Sequence, residues 1–215
     1  MPASATVLPD TAPARKPAIS REDLLAAALT LIGPHRSLST LSLREVAREA
    51  GIAPNSFYRQ FRDMDELAVA LIDLAGRSLR TIIGQARQRA TSTERSVIRV
   101  SVETFMEQLR ADDKLLHVLL REGAVGSDNF KQAVERELNH FEDELRLDLI
   151  RLAAADGAVL HAPELVAKAI TRLVFAMGAT AMDLPPERDE ELVEQISQML
   201  RMIITGARQL GTPGR

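Results

Sequence analysis

The sequence contains no cysteine and no tryptophan, one tyrosine and only six phenylalanines in 215 residues. The missing cysteines exclude disulfides and thiolate metal sites, and they fit a chain that works in a reducing compartment. No apolar run approaches the roughly 20 residues that span a bilayer, and the first residues lack the pattern of a secretory leader. A cytoplasmic protein without a membrane partner is expected. Catalytic signals are missing too: there is no glycine-rich phosphate loop and no Ser/His/Asp constellation. Glu137 and His140 stand at the Glu-x-x-His spacing of carboxylate-bridged di-iron sites, but such a site needs a second copy and further carboxylates, and one copy is present. The other histidines, His35, His117 and His161, form no ligand spacing. Neither an enzyme nor a metal or cofactor site is expected.

What is present is ordinary in amount and uneven in distribution. Hydrophobic residues make up 46% and charged residues 27%, the balance of a soluble globular chain. Net charge is −3, but residues 1–62 hold eight Lys/Arg against five Asp/Glu while the remainder holds 19 against 25. A small basic module precedes a larger acidic one, so a polyanion is the expected partner of the first module only.

Residues 1–19 hold four of the ten prolines and no period, which reads as a disordered arm. Its Arg15 and Lys16 either reach along the polyanion flanking the bound stretch or belong to a free tail. Ser20 with Asp23 opens a helix that stops at Gly33-Pro34, and Ser42 with Glu45 opens a second that stops at Gly51. Pro54 suits the first turn of a third helix over 54–61, and Asp63 with Glu66 opens a fourth. Periodicity then predicts helices near 64–90, 94–110, 113–122, 127–156, 162–182 and 187–208, with breaks at Gly123, Gly126, Asp156-Gly157 and Pro185-Pro186. No stretch alternates as a strand. The expected fold is all-α with about nine helices: a three-helix head over 20–63 on a larger helical bundle over 64–210.

The head crowds aromatic and polar side chains into SLREVAREAGIAPNSFYRQF, residues 42–61. On a wheel of 100° per residue, Phe57 and Phe61 fall on one side, with Val46, Ala50 and Ile52 of the preceding helix and turn as their partners. Asn55, Arg59 and Arg62 fall on the other. A short helix with a buried aromatic back and an Asn/Arg front suits the major groove, where Arg reads guanine and Asn reads adenine. Ser and Tyr hydroxyls suit phosphates, as does the start of the Ser42 helix. The pattern is a helix-turn-helix; the competing reading is a helical hairpin with a solvated polar face.

The longer stretch TLSLREVAREAGIAPNSFYRQFRDMDELAVALID resembles the signature of TetR-type repressors over residues 20–73. The resemblance implies a homodimer on a palindromic double-stranded operator, with a variable C-terminal ligand domain. Candidate DNA-contacting residues are Ser42, Arg44, Pro54, Asn55, Ser56, Tyr58, Arg59 and Gln60. Two positions depart from the pattern: Met64 stands where many members have lysine, and Gln60 where many have histidine. Arg62 is the candidate to replace the lost charge.

SVIRVSVETFMEQL, LLREG and AVERELNHFEDELR are similar to the ligand domain of bacterial repressors of unsaturated fatty-acid synthesis and acyl desaturation. That similarity implies a long-chain acyl-CoA effector, sensed for saturation, and control of desaturation genes. The alternative is a TetR-type repressor of another process with a different hydrophobic ligand.

The second domain has its own pattern. Phe130, Val134, Leu138, Phe141, Leu145 and Leu149 form one stripe, and Phe105, Leu109, Leu116, Leu119 and Leu120 supply facing stripes. These residues are either plain core or, with Phe175, the walls of a tunnel between the 94–122 and 127–156 helices. Burying about sixteen CH₂ groups gains ~12 kcal/mol before ordering costs, so an acyl chain is a credible occupant. Arg77, Arg80, Arg87 and Arg89 form either a solvated basic face or a phosphate-attracting one; Arg99 and Arg121 are alternative phosphate partners or ion-pair residues. Phe175, Gly178, Ala179, Met182, Ile196, Met199 and Ile203 are the candidate dimer interface, as a two-fold four-helix bundle. An enzyme of helical-bundle type and a protein-binding adaptor remain as competitors, and steep salt dependence separates a DNA binder from the adaptor.

Overall fold

The structure is a computed structural model that describes residues 19–33, 36–90, 94–111, 114–125 and 127–211. The expected arm through residue 18, with Arg15 and Lys16, and His35 lie outside the described residues. Among those described there are nine α-helices and no strand: α1 Arg21–Leu31, α2 Leu43–Glu49, α3 Pro54–Phe57, α4 Met64–Arg89, α5 Glu94–Arg110, α6 Leu115–Val125, α7 Asp128–Ala155, α8 Pro163–Ala181 and α9 Asp189–Gly211. Single 3-10 turns occupy Leu38–Thr40 and Pro186–Arg188.

The helix starts follow from their caps. Ser20 and Asp23 form a reciprocal capping box on α1, and Ser42 and Glu45 form another on α2. Asp63 accepts from the Glu66 backbone N–H at 2.8 Å to open α4, and Ser127 caps α7. Each such cap is worth ~1 kcal/mol because it satisfies amide groups that have no partner inside the helix. Two boundaries differ from the sequence reading. The third helix stops at Phe57 rather than 61; from there Arg59 and Gln60 donate to carbonyls three residues back, a tighter winding that still brings Phe61 under the helix. Helix α6 runs through Gly123 to Val125, since one helical glycine costs only ~1 kcal/mol against alanine.

In the head, Leu24, Ala28, Val46, Phe57 and Phe61 are essentially sealed from solvent. Beyond it, α4 is the common axis, packing against α1 at its start and against α5, α6 and α7 along its length. Helices α7 and α8 pair, α8 pairs with α9, and α9 returns along α5. Arg110 at the end of α5 fastens the α8–α9 corner: it donates to both Asp189 oxygens, at 2.9 and 2.7 Å, and to the carbonyls of Ala181 and Leu184.

Two connections tie head to bundle. Arg21 of α1 donates to Glu66 of α4 at 3.1 Å and lies 4.0 Å over the Phe61 ring, a cation–π contact. At the start of α6, Lys114 donates to the Ile32 carbonyl that ends α1, at 2.7 Å. Lys114 is held at φ 59, a left-handed conformation that costs a non-glycine residue roughly 1–2 kcal/mol. Helix α6 also packs against the Leu38–Thr40 turn.

Candidate functional site

The helix-turn-helix is α2, a turn and α3. Gly51 makes the turn at φ +67, Gly51 N–H donates to the Arg48 carbonyl, and Ile52 N–H donates to the Ala47 carbonyl at 2.9 Å. This is a Schellman-type stop, which favours glycine because a Cβ crowds the backbone in that conformation. A Cβ on Gly51 would meet no other atom within 4 Å, so only the dihedral is at stake. Gly51→Ala is therefore expected to cost roughly 1–2 kcal/mol, read as a lower urea midpoint with an unchanged slope.

The turn aims α3 so that Phe57 and Phe61, 0% and 1% exposed, face inward with ring centroids 5.7 Å apart. Pro54, Asn55, Tyr58 and Arg59 are exposed on the other side, and Arg44 and Arg48 of α2 are exposed beside them. Ser56 is half-buried. The Ser42 hydroxyl is exposed but engaged, donating to Glu45 at 2.8 Å. Arg36 donates to the same carboxylate; with the Ser42 hydroxyl and N–H it holds the Glu45 carboxyl down at about 2, so this cap stays ionised well into acid. Gln60 is the exception among the candidate contacts: its side-chain amide donates to the Ile19 carbonyl at 2.8 Å, and its backbone carbonyl accepts from Arg21. Gln60 thus anchors the end of the reading element to the start of α1.

A second site lies in the bundle. An apolar cavity of about 100 Å³, partly open to the surface, is lined by α4, α5, α7, α8 and α9 and by Leu160. Phe105, Phe141 and Phe175 wall it, with Phe175 centred 5.7 Å from Phe105 and 5.3 Å from Phe141. Val102, Leu149, Ile170, Val174 and Leu200 complete much of the lining. The polar side chains are few: Ser101, Thr171, and Arg87, Asp148 and Arg208. Of the ten ligand residues expected from sequence, only the three phenylalanines line this cavity. Leu119, Leu120, Val134 and Leu138 border an open groove of about 730 Å³ between α6, α7 and α8, and Phe175 borders both spaces. Leu109, Leu116 and Phe130 border neither and are buried core. The cavity reaches beyond the 94–122 and 127–156 helices: α8 and α9 supply a whole side of it, which one helix's stripe cannot announce.

Arg80 is not part of a phosphate-attracting face. It pairs with the buried Glu137, reaches Glu144 at 3.2 Å, and lies 5.7 Å over the Phe141 ring. Arg99 pairs with Glu103, Glu190 and Glu194. Among the described residues no group of three or more His, Asp or Glu side chains is placed to hold a metal, and no helix is long and apolar enough to cross a membrane.

Residues 24–71 match the model of the bacterial regulatory proteins of the tetR family. The chain carries a TetR-type DNA-binding head. Solved structures share the whole fold at low identity. The reduced form of Escherichia coli NemR is 20% identical with a TM-score of 0.69, covering 86% of this chain and 96% of that one. The fatty acid degradation regulator FadR of Bacillus halodurans is 16% identical, TM-score 0.69, covering 87% and 96%. AibR, solved with isovaleryl coenzyme A and operator DNA, is 14% identical, TM-score 0.63, covering 84% and 97%.

In this TetR-type fold the last two helices carry an outward apolar face. Leu165, Met202 and Leu210 are 67%, 61% and 72% exposed, with Ala176 and Ala179 exposed and Met177, Met182, Met199 and Ile203 half-buried. Three residues expected on that face are not there: Phe175 is half-buried and walls the bundle cavity against Phe105 and Phe141. Ile196 is 0% exposed in the protomer's own core. Gly178 faces α5, where a Cβ would come within 2.6 Å of the Phe105 ring; the missing side chain makes room for that ring rather than for a second copy.

Proposed function

We propose that the protein is a homodimeric transcriptional repressor whose grip on a palindromic operator is set by an acyl-CoA ligand in the bundle cavity, in the control of fatty-acid desaturation genes. The observation that carries the reading is the phenylalanine-walled cavity against the far end of α4, the helix whose start packs on the reading head. Helix α4 has 26 residues, so it runs about 39 Å. A shift at Ile83 and Arg87 in the cavity wall reaches the head through a continuous rigid element. Lys114 and α6 offer a second connection.

The likeness to the fatty-acid repressors, the FadR fold match and the acyl-CoA held by AibR support an acyl thioester. The volume sets how it acts. An apolar cavity of about 150 Å³ accommodates benzene, so about 100 Å³ is too small for a long chain. Such a chain needs more room, as when α5 and α8 move apart or Phe175 turns toward the neighbouring groove. Binding and helix displacement are then one event, which is what a switch requires. Straight and bent chains bury similar area, so discrimination rests on shape, with misfit costing about 1–3 kcal/mol. The same small volume favours a second reading: a short or branched acyl thioester that leaves Phe175 in place.

The test is footprinting of genomic DNA followed by operator titration with palmitoyl-CoA, oleoyl-CoA and isovaleryl-CoA. The long pair is expected to move operator affinity in opposite directions, ~5–150-fold apart. A response to isovaleryl-CoA alone favours the short-chain reading. No response to any of them removes the acyl ligand while leaving a DNA-binding regulator.

A further inference from the structure

One end of the cavity is charged, and it ends on a partition. Arg87 of α4 and Asp148 of α7 line both the cavity and a smaller pocket of about 90 Å³ next to it, together with Val97 and Leu152. Arg87 Nε lies 2.7 Å from Asp148 Oδ2, yet this buried N–H is not directed at any acceptor. Asp148 also pairs with Arg151, which borders the small pocket. Arg208 of α9 lines the same cavity and pairs with Asp156 at 3.0 Å. Asp148 therefore serves two guanidinium groups at once, those of Arg87 and Arg151.

We infer that Asp148 occupies the place of a ligand's own anionic group, so that the cavity takes an amphipathic anion with its apolar chain inside and its charged head on Arg87 and Arg151. This rests on the apolar-ligand reading and deepens it. An ion pair at the wall of an apolar cavity is costly to desolvate and gives little net stability. The Arg87–Asp148–Arg151 arrangement has the charge excess and the misdirected N–H that an incoming carboxylate or phosphate satisfies with bidentate geometry. Displacing Asp148 opens the partition and joins the cavity to the surface pocket. The carboxylate thus acts as an internal competitor at the charged end of the cavity, one that yields to anionic molecules and not to neutral apolar ones. Arg87 lies near the end of α4, so the exchange occurs on the helix that carries the head.

The sign of one variant separates this from a structural ion pair. Removing the internal competitor with Asp148→Asn is expected to tighten binding of an anion about fivefold or more, and Arg87→Gln to weaken it about tenfold, because it removes charge-assisted hydrogen bonds to the anion. Isothermal titration calorimetry on the full chain would use three probes of one chain length: dodecanoate, dodecanoyl-CoA and dodecanol. Dodecanol is expected to bind more weakly and to respond to neither variant. Tightening confined to dodecanoate identifies a free carboxylate as the anion; tightening confined to the thioester identifies the phosphates of its head. The inference is overturned if Asp148→Asn weakens or leaves unchanged the binding of both anions. It is also overturned if dodecanol binds wild type as tightly as they do, an outcome that leaves the apolar-ligand reading standing. Binding of none of the three overturns both.

Discussion

Replacing Met202 with glutamate is expected to lower operator affinity by roughly 10²–10⁴-fold while the protomer stays folded. Met202 is 61% exposed on α9, so the substitution removes no core contact. Its surroundings point to a partner. Leu165 begins α8 and Leu210 lies near the end of α9, both largely exposed, and the hydrogen bond from His161 N–H to the Ala207 carbonyl brings those two helix ends together. Exposed Ala176 and Ala179 on α8, and Gly206 on α9 with nothing within 4 Å of its would-be Cβ, leave room for close helix packing. A second copy on this face would place two heads on one operator. Binding of the second head is then intramolecular, and losing that linkage costs on the order of 10²–10⁴ in affinity. Sedimentation and operator titration on the same sample check the account: a variant that remains dimeric and binds normally moves the interface elsewhere.

The second large effect concerns the buried pair between α4 and α7. Arg80→Ala is expected to cost about 3–5 kcal/mol, because it strands the Glu137 carboxylate without its partner. Glu137 is 4% exposed, and Gly76 lies so close to it that a Cβ there would overlap the carboxylate. At ~2–4 °C per kcal/mol for a chain of this size, the melting temperature falls by roughly 6–20 °C. The double variant Arg80→Met with Glu137→Leu is expected to recover most of that loss, since apolar groups of similar volume replace such pairs at little cost. It would nevertheless dull the response to ligand, because Arg80 lies over Phe141, a cavity wall. Equal melting points for the single and double variants would mean that packing, not the stranded charge, is lost.

Much of the fold was legible because local signals repeat. The caps at Ser20, Ser42 and Asp63, the left-handed Gly51 and the α7 stripe each carry a signature within a few residues. The exposed face of the helix-turn-helix was legible for the same reason: Phe57 and Phe61 buried on one side of a turn imply Asn55 and Arg59 on the other. Gln60 escaped because its partner, the Ile19 carbonyl, is 41 residues away in sequence. The cavity was half legible. Three sparse phenylalanines were the signal, and they do meet, but their neighbours come from five helices whose relative placement no single stripe encodes. Glu137 and His140 drew notice as a metal spacing, whereas Arg80, one turn beyond Gly76 on α4, decides what Glu137 does. Gly178 shows the same limit: a small residue announces a close approach without naming the partner.

Linkage between the two sites tests the central claim most directly. If cavity occupancy and operator binding bias the same two arrangements of α4, each must change the affinity of the other by the same factor. The measurement is calorimetric affinity for an acyl-CoA with free protein and with protein saturated by operator, set beside operator affinity with and without that acyl-CoA. The account predicts two equal factors, between ~5 and 150, both reduced toward one in the Arg80→Met, Glu137→Leu double variant. An acyl-CoA that binds in the cavity with the same affinity whether or not operator is present would contradict it.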